Sequence, residues 1–146
     1  MLDWPKLSST NDEEELMPGP FIFIATNKLK PGVLERERER AGELAQFIAE
    51  AEPRLLAFNE YADEGGSEVG VVQVHPDAQS MLFHMEAVRE RAAQAYAETL
   101  EGTTAIQVFG PPDEAILGML RQQAGAGVDL SIKPLHLGGF TRLQSA

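Results

Sequence analysis

Between Phe21 and Asn27 both alternating sets of side chains are apolar: Phe21, Phe23 and Ala25 fall on one face, Ile22 and Ile24 on the other. A strand of this kind is covered on both sides. The period then changes. Leu34, Ala41, Leu44, Ala45, Ile48 and Ala51 recur at helical spacing and predict a helix from Gly32 to about Glu52, stopped by Pro53. Within it, Glu35 to Arg40 alternates acids and bases that pair three residues apart, which reads as a solvated face worth about 0.2–0.5 kcal/mol per pair and no chemistry. Leu55 to Ala62 predicts a second strand and Glu68 to His75 a third, with Asp63-Glu64-Gly65-Gly66-Ser67 as the hairpin turn between them. Asp77 is placed to cap a second helix that runs to about Leu100 on the stripe Ala78, Met81, Leu82, Met85, Val88 and Ala92. Thr103 to Phe109 predicts a fourth strand, closed by Gly110-Pro111-Pro112.

The order β-α-β-β-α-β predicts an α+β, ferredoxin-like fold, with two helices on one side of an antiparallel sheet. A C-terminal extension follows. Asp113 to Gln123 predicts a short helix, and Val128, Leu130 and Ile132 alternate with polar residues as in a one-sided edge strand. Two helices cover one sheet face only, so the second apolar face would expose more than the few hundred Å² that monomers tolerate. A second copy of the chain, giving a homodimer, is the expected cover, and the C-terminal extension is the alternative. Residues 1–19, with Glu13-Glu14-Glu15 and Pro18-Gly19-Pro20, read as a loosely ordered arm, and residues 20–146 as a single domain.

Composition narrows the chemistry. The chain of 146 residues has no cysteine, which excludes disulfides, a thiol nucleophile and thiolate metal sites. Its formal net charge of -11 repels phosphate, so neither nucleic acid nor an anionic membrane surface is expected as a partner. Met1 to Pro5 lacks the basic and apolar regions of a signal peptide, and no apolar run approaches a membrane span, so a cytoplasmic location is expected.

Among polar residues, His84 stands at the edge of the second helix's apolar stripe, where a neutral imidazole can take a proton from a phenol or hold a substrate oxygen. Equally, a histidine there can be a core residue satisfied by one partner. Tyr61, Asn59 and Asn27 are secondary candidates that can donate to a ligand oxygen, and Phe58 and Phe83 can line an apolar pocket. His75, His84 and His136 show no metal-ligand spacing, and no dinucleotide, phosphate-loop or nucleophile-elbow motif is present.

Ala25-Thr26, Lys30-Pro31-Gly32, Glu52-Pro53 before a strand, and the run Val72-Gln73-Val74-His75-Pro76-Asp77-Ala78 with His84 seven residues after Asp77 together carry a resemblance. Over about residues 20 to 110 the chain resembles the antibiotic biosynthesis monooxygenase superfamily, which includes quinol monooxygenases and pairs into dimeric α/β barrels. The resemblance implies oxygenation of a small aromatic or quinol-type ligand with no cofactor, with His84 as base or anchor. The sequence departs from the family where His75 replaces an aromatic at the end of the third strand and Arg89 replaces a second helix histidine. Phe83 stands near the tryptophan position of the haem-degrading branch. A non-catalytic ligand-binding or oligomerisation module on the same fold is the alternative.

Overall fold

The computed structural model describes residues 19–142, so the arm expected over 1–19 lies, but for Gly19, outside the described residues. Its elements are β1 (Phe21–Leu29), α1 (Leu34–Ala51), β2 (Ala57–Ala62), β3 (Glu68–His75), α2 (Ala78–Ala87), α3 (Arg89–Glu98), β4 (Leu100–Phe109), α4 (Glu114–Gly125) and β5 (Asp129–Lys133). One sheet runs in the order β2-β3-β1-β4-β5, with β5 parallel to β4 and the other pairs antiparallel. The first four strands form the ferredoxin-like sheet, and the C-terminal helix and strand extend it at one edge.

Local chemistry explains the joints. In the β2–β3 turn the Asp63 carboxylate accepts the Ser67 and Glu68 backbone N–H groups at 2.8 and 3.1 Å, and Gly66 takes the left-handed φ of 66° that glycine adopts freely. Asp77 caps α2 through the Ser80 N–H, and Asp113 caps α4 through the Ile116 N–H, each at 2.9 Å. The second helix expected from the sequence is two helices. Val88, with ψ 5°, separates α2 from α3, and each half serves its own core. Met81 of α2 packs with Phe21, Phe23, Ile106, Val108 and the α4 residues Ile116 and Leu120, whereas Ala95 of α3 packs with Leu29, Val69 and Leu100.

These contacts set the two faces of the sheet. Phe21, Phe23, Asn27 and Leu29 of β1, and Val69, Gln73 and His75 of β3, are buried against the helices. Their alternates Ile22, Ile24, Val72 and Val74, with Ala57 and Phe109, lie half-buried on the opposite, helix-free face. The C-terminal extension does not cover that face: β5 continues the sheet and α4 packs on the helix side. Residues beyond β5 border one end of it, beside Ile22, Val74 and Phe109, with Leu137 95% exposed.

Candidate functional site

The site around His84 is built at the end of the sheet where β3 hands over to α2. His75 and Gln73, two residues apart, share the helix-facing side of β3. Pro76 and the Asp77 cap then turn the chain so that Ser80, in the first turn of α2, comes back over His75. The Ser80 hydroxyl lies 2.7 Å from His75 Nδ1, and Gln73 Oε1 lies 3.0 Å from Nε2. A neutral ring satisfies both if Nε2–H donates to Gln73 and Nδ1 accepts from Ser80. Burial, and to a lesser extent the neighbouring His84, push the His75 pKa down to about 4.

One turn after Ser80, His84 enters the same core and meets His75 edge-on, with ring centroids 5.8 Å apart. Its Nδ1 donates to Glu52, whose carboxylate oxygens lie 2.9 and 3.1 Å away. Glu52 is in place because it ends α1. Pro53 disfavours a helical conformation before it, and Glu52 stands at φ -129°, ψ 73°, with its side chain 2% exposed. Glu52 favours a charged His84 ring, but burial outweighs it and lowers the His84 pKa below the ordinary histidine range. With Nδ1 committed, Nε2 is the nitrogen left to take a proton. Phe58 of β2 closes the site, its ring centroid 5.9 Å from that of His84.

The other residues expected to share this site are spread over the molecule. Asn59 and Tyr61 alternate with Phe58 along the edge strand β2 and so turn away from His84, bordering the groove between α1 and β2, with Tyr61 64% exposed. Asn27 is buried on the helix face but pairs six residues along β1 from the Phe21–His75 pair, roughly 20 Å away. There its Oδ1 accepts the Thr103 hydroxyl at 2.6 Å, next to Tyr96. Phe83 is largely exposed and lines a mostly apolar cavity of about 320 Å³ with Pro53, Leu55, Glu52 and Ser80. Thus, of the expected residues, the structure brings Phe58 to His84 and adds Glu52, His75, Ser80 and Gln73. The Glu52-Pro53 pair is the one signal in the sequence for Glu52.

No family model matches the sequence, and no curated protein matches it. Solved structures do. MupZ from Pseudomonas fluorescens superposes with a TM-score of 0.65 at 18% identity, covering 85% of this chain and 95% of that one. A structure described as an antibiotic biosynthesis monooxygenase superposes at 0.53 and 18% identity, over 64% of this chain and 99% of that one. The fold is that of the antibiotic biosynthesis monooxygenases. Rv0793 from Mycobacterium tuberculosis shares this fold at a TM-score of 0.53 and 20% identity, covering 66% of this chain and 99% of its own. These last two structures cover about two thirds of this chain, and MupZ 85% of it. Among the described residues no helix is long and apolar enough to cross a membrane.

Proposed function

We propose that the chain is a homodimeric oxygenase of small, electron-rich aromatics of the quinol type, working without a bound cofactor, with His84 as its base. One observation carries this reading: a buried, neutral imidazole fixed through Nδ1 by a carboxylate, with Nε2 left as proton acceptor. His84 takes the phenolic proton, and the quinolate passes electrons to dioxygen. One oxygen atom enters a ring carbon in place of hydrogen, the other leaves as water, and the quinol ends as a hydroxyquinone, so atoms and electrons balance without an outside reductant. The protein supplies deprotonation, a dry setting and orientation.

A second reading is favoured by a specific observation. His84 lines none of the described cavities, although Phe58 and Glu52, which touch it, each line one. On that reading His84 is core structure in a ligand-binding module, and a ligand reaches the imidazole only where Phe58 turns aside. Oxygen uptake with a substituted hydroquinone separates the two. The oxygenase consumes one dioxygen per quinol above the autoxidation background and loses this in His84→Asn, whereas uptake equal in both proteins removes His84 from the chemistry.

The dimer rests on the helix-free face, where Ile22, Ile24, Val72, Val74 and Phe109 form an apolar surface that no described element covers. Light scattering is expected to give about twice 15.9 kDa. Ile24→Glu, on that face, is expected to give monomers, because it would bury an unpaired charge. Phe21 and Phe23 point to the helices, so neither is suited to this test.

A further inference from the structure

A second polar cluster is buried where α1 crosses β2. Glu37, 1% exposed, accepts the Arg40 Nε at 2.8 Å, the Arg40 Nη2 at 2.6 Å and the Thr99 hydroxyl at 2.6 Å. Glu60, on β2, turns its own carboxyl toward the same spot with a side chain 6% exposed. Its Oε1 has no hydrogen-bond partner among the described residues, and Arg40 Nη2 lies 3.7 Å from it. One guanidinium therefore serves two carboxyls and is committed to Glu37. Burial, reinforced by Glu37, pushes Glu60 up to about 9, so it carries a proton at neutral pH. Burial opposes ionisation of Glu37 as well, but hydrogen bonds from Arg40, Glu60 and Thr99 bring it down to about 2.

This cluster does not sit in closed core. Glu37 and Glu60 both line a groove of about 580 Å³ between α1 and β2, with Leu34, Ala41, Phe58 and Val69 as apolar walls. That volume falls in the range of small-ligand sites, about 300–1,000 Å³. Asp63 and Glu64 border it against a single basic side chain, Arg38, in a chain of net charge -11. The potential there favours cations, and Glu60, which turns its proton toward Glu37 but accepts from no donor among the described residues, has acceptor capacity that an N–H would fill.

We infer that this groove binds a small organic cation, a primary ammonium on an apolar or aromatic body, whose N–H groups reach the Glu60 and Glu37 carboxyls. The ammonium replaces the proton on Glu60: the acid ionises, its proton goes to the buffer, and two carboxylates then face two cations. The groups that face Glu60 in this exchange are Glu37 and Arg40 of α1, with the Thr99 hydroxyl held by Glu37, Glu98 acting on Arg40, and Arg38, Asp63 and Glu64 at the groove. Among the described residues the site shares no hydrogen bond with His84 and Glu52, so it stands or falls apart from the oxygenase reading.

The test is calorimetric titration of the full chain with phenethylamine near neutral pH, in phosphate and in Tris. Saturable binding is expected, with an enthalpy that differs between buffers by the heat of up to one released proton. Phenethyl alcohol, with the same body and no charge, is expected to bind at least about tenfold more weakly. Glu60→Gln, which keeps the shape of the protonated acid, is expected to lose about tenfold in amine affinity together with the proton release. No saturable amine binding, equal binding of the alcohol, or no buffer dependence overturns the inference using the native chain alone. Unchanged amine affinity in a Glu60→Gln protein of native circular dichroism overturns it independently.

Discussion

The two buried polar clusters lie on the same face of the same sheet and handle their protons in opposite ways. Around His75 and His84 the one carboxylate hydrogen-bonded to a ring is that of Glu52, and among the described residues no permanently charged base bonds either ring, Asp77 and its partner Arg54 acting on His75 only through their charges; burial keeps both rings below the ordinary histidine range. Around Glu37 there are two carboxyls and one guanidinium, so one carboxyl ionises against Arg40 and the other keeps its proton. A permanent cation in hydrogen-bond contact thus fixes where the charge resides, and where none makes that contact the charge is left to rings that prefer neutrality when desolvated. The first cluster is left with a base and the second with an acid, which suits the first to proton abstraction and the second to holding a donor.

The largest effect that tests this difference comes from the cation. Arg40→Met keeps the aliphatic stem but leaves the Glu37 carboxylate buried without its partner, and urea unfolding is expected to show a loss of about 3–5 kcal/mol. Glu52→Gln keeps an acceptor for a neutral His84 and is expected to cost only about 1–2 kcal/mol. If the two variants lose equal stability, His84 is held as a charged ring and the contrast between the clusters fails.

The next effect lies in the pH dependence, where the clusters act on opposite limbs. His75 titrates near 6.5 in the unfolded chain and at about 4 in the fold, so the unfolded state binds more protons between those values. Its contribution is complete above about pH 6.5 and is lost as pH falls toward 4. The loss reaches up to about 3 kcal/mol, because each pH unit between the two values corresponds to about 1.4 kcal/mol. Glu60 is the reverse. Its folded pKa of about 9 lies above the unfolded value, so its contribution is complete below about pH 4.5 and is lost as pH rises through 9. Unfolding free energies measured across this range should form a dome. Glu60→Gln should flatten the alkaline limb alone and His75→Gln the acid limb alone. A variant that flattens the other cluster's limb would show that the two share their protons.

How much of this is legible in the sequence follows from how local each signal is. The Asp77 and Asp113 caps, the Asp63–Ser67 turn and the two-sided apolar pattern of Phe21–Asn27 are fixed by residues a few positions apart, and all appear in the structure. The sequence pattern places Glu37 and Arg40 in a solvated run, which holds for the exposed Glu35–Arg38 pair at 3.4 Å but not for them. In sequence a carboxylate three residues from an arginine looks the same whether it faces water or a strand; what buries Glu37 is Glu60, 23 positions later, and Thr99, 62 positions later. Asn59 and Tyr61 group with His84 in sequence for the same reason. Their alternation with Phe58 and Glu60 is visible, but only the pairing of β2 with β3 says which set meets the helices. His84 is visible because it stands next to an apolar stripe on its own helix, and its partner Glu52 sits 32 residues away, before β2 and β3 in the chain.

The smallest expected effect concerns whether the clusters are separate at all. Phe58 touches both: its ring packs against His84 and lines the groove that Glu60 shares. Among the described residues no hydrogen bond joins one cluster to the other, which leaves that ring as the packing contact they share. Packing through one half-buried aromatic transmits little when neither neighbour moves, and separated sites add to within about 0.5 kcal/mol. A double-mutant cycle of His84→Asn and Glu60→Gln, read by urea unfolding, is therefore expected to close to within about 0.5 kcal/mol. Repeating it in a Phe58→Leu background, itself expected to cost under about 1.5 kcal/mol, should leave that closure unchanged. A coupling above about 1 kcal/mol that disappears in Phe58→Leu would make the ring a relay and the two clusters one extended site, so that an amine in the groove would shift the proton affinity of His84.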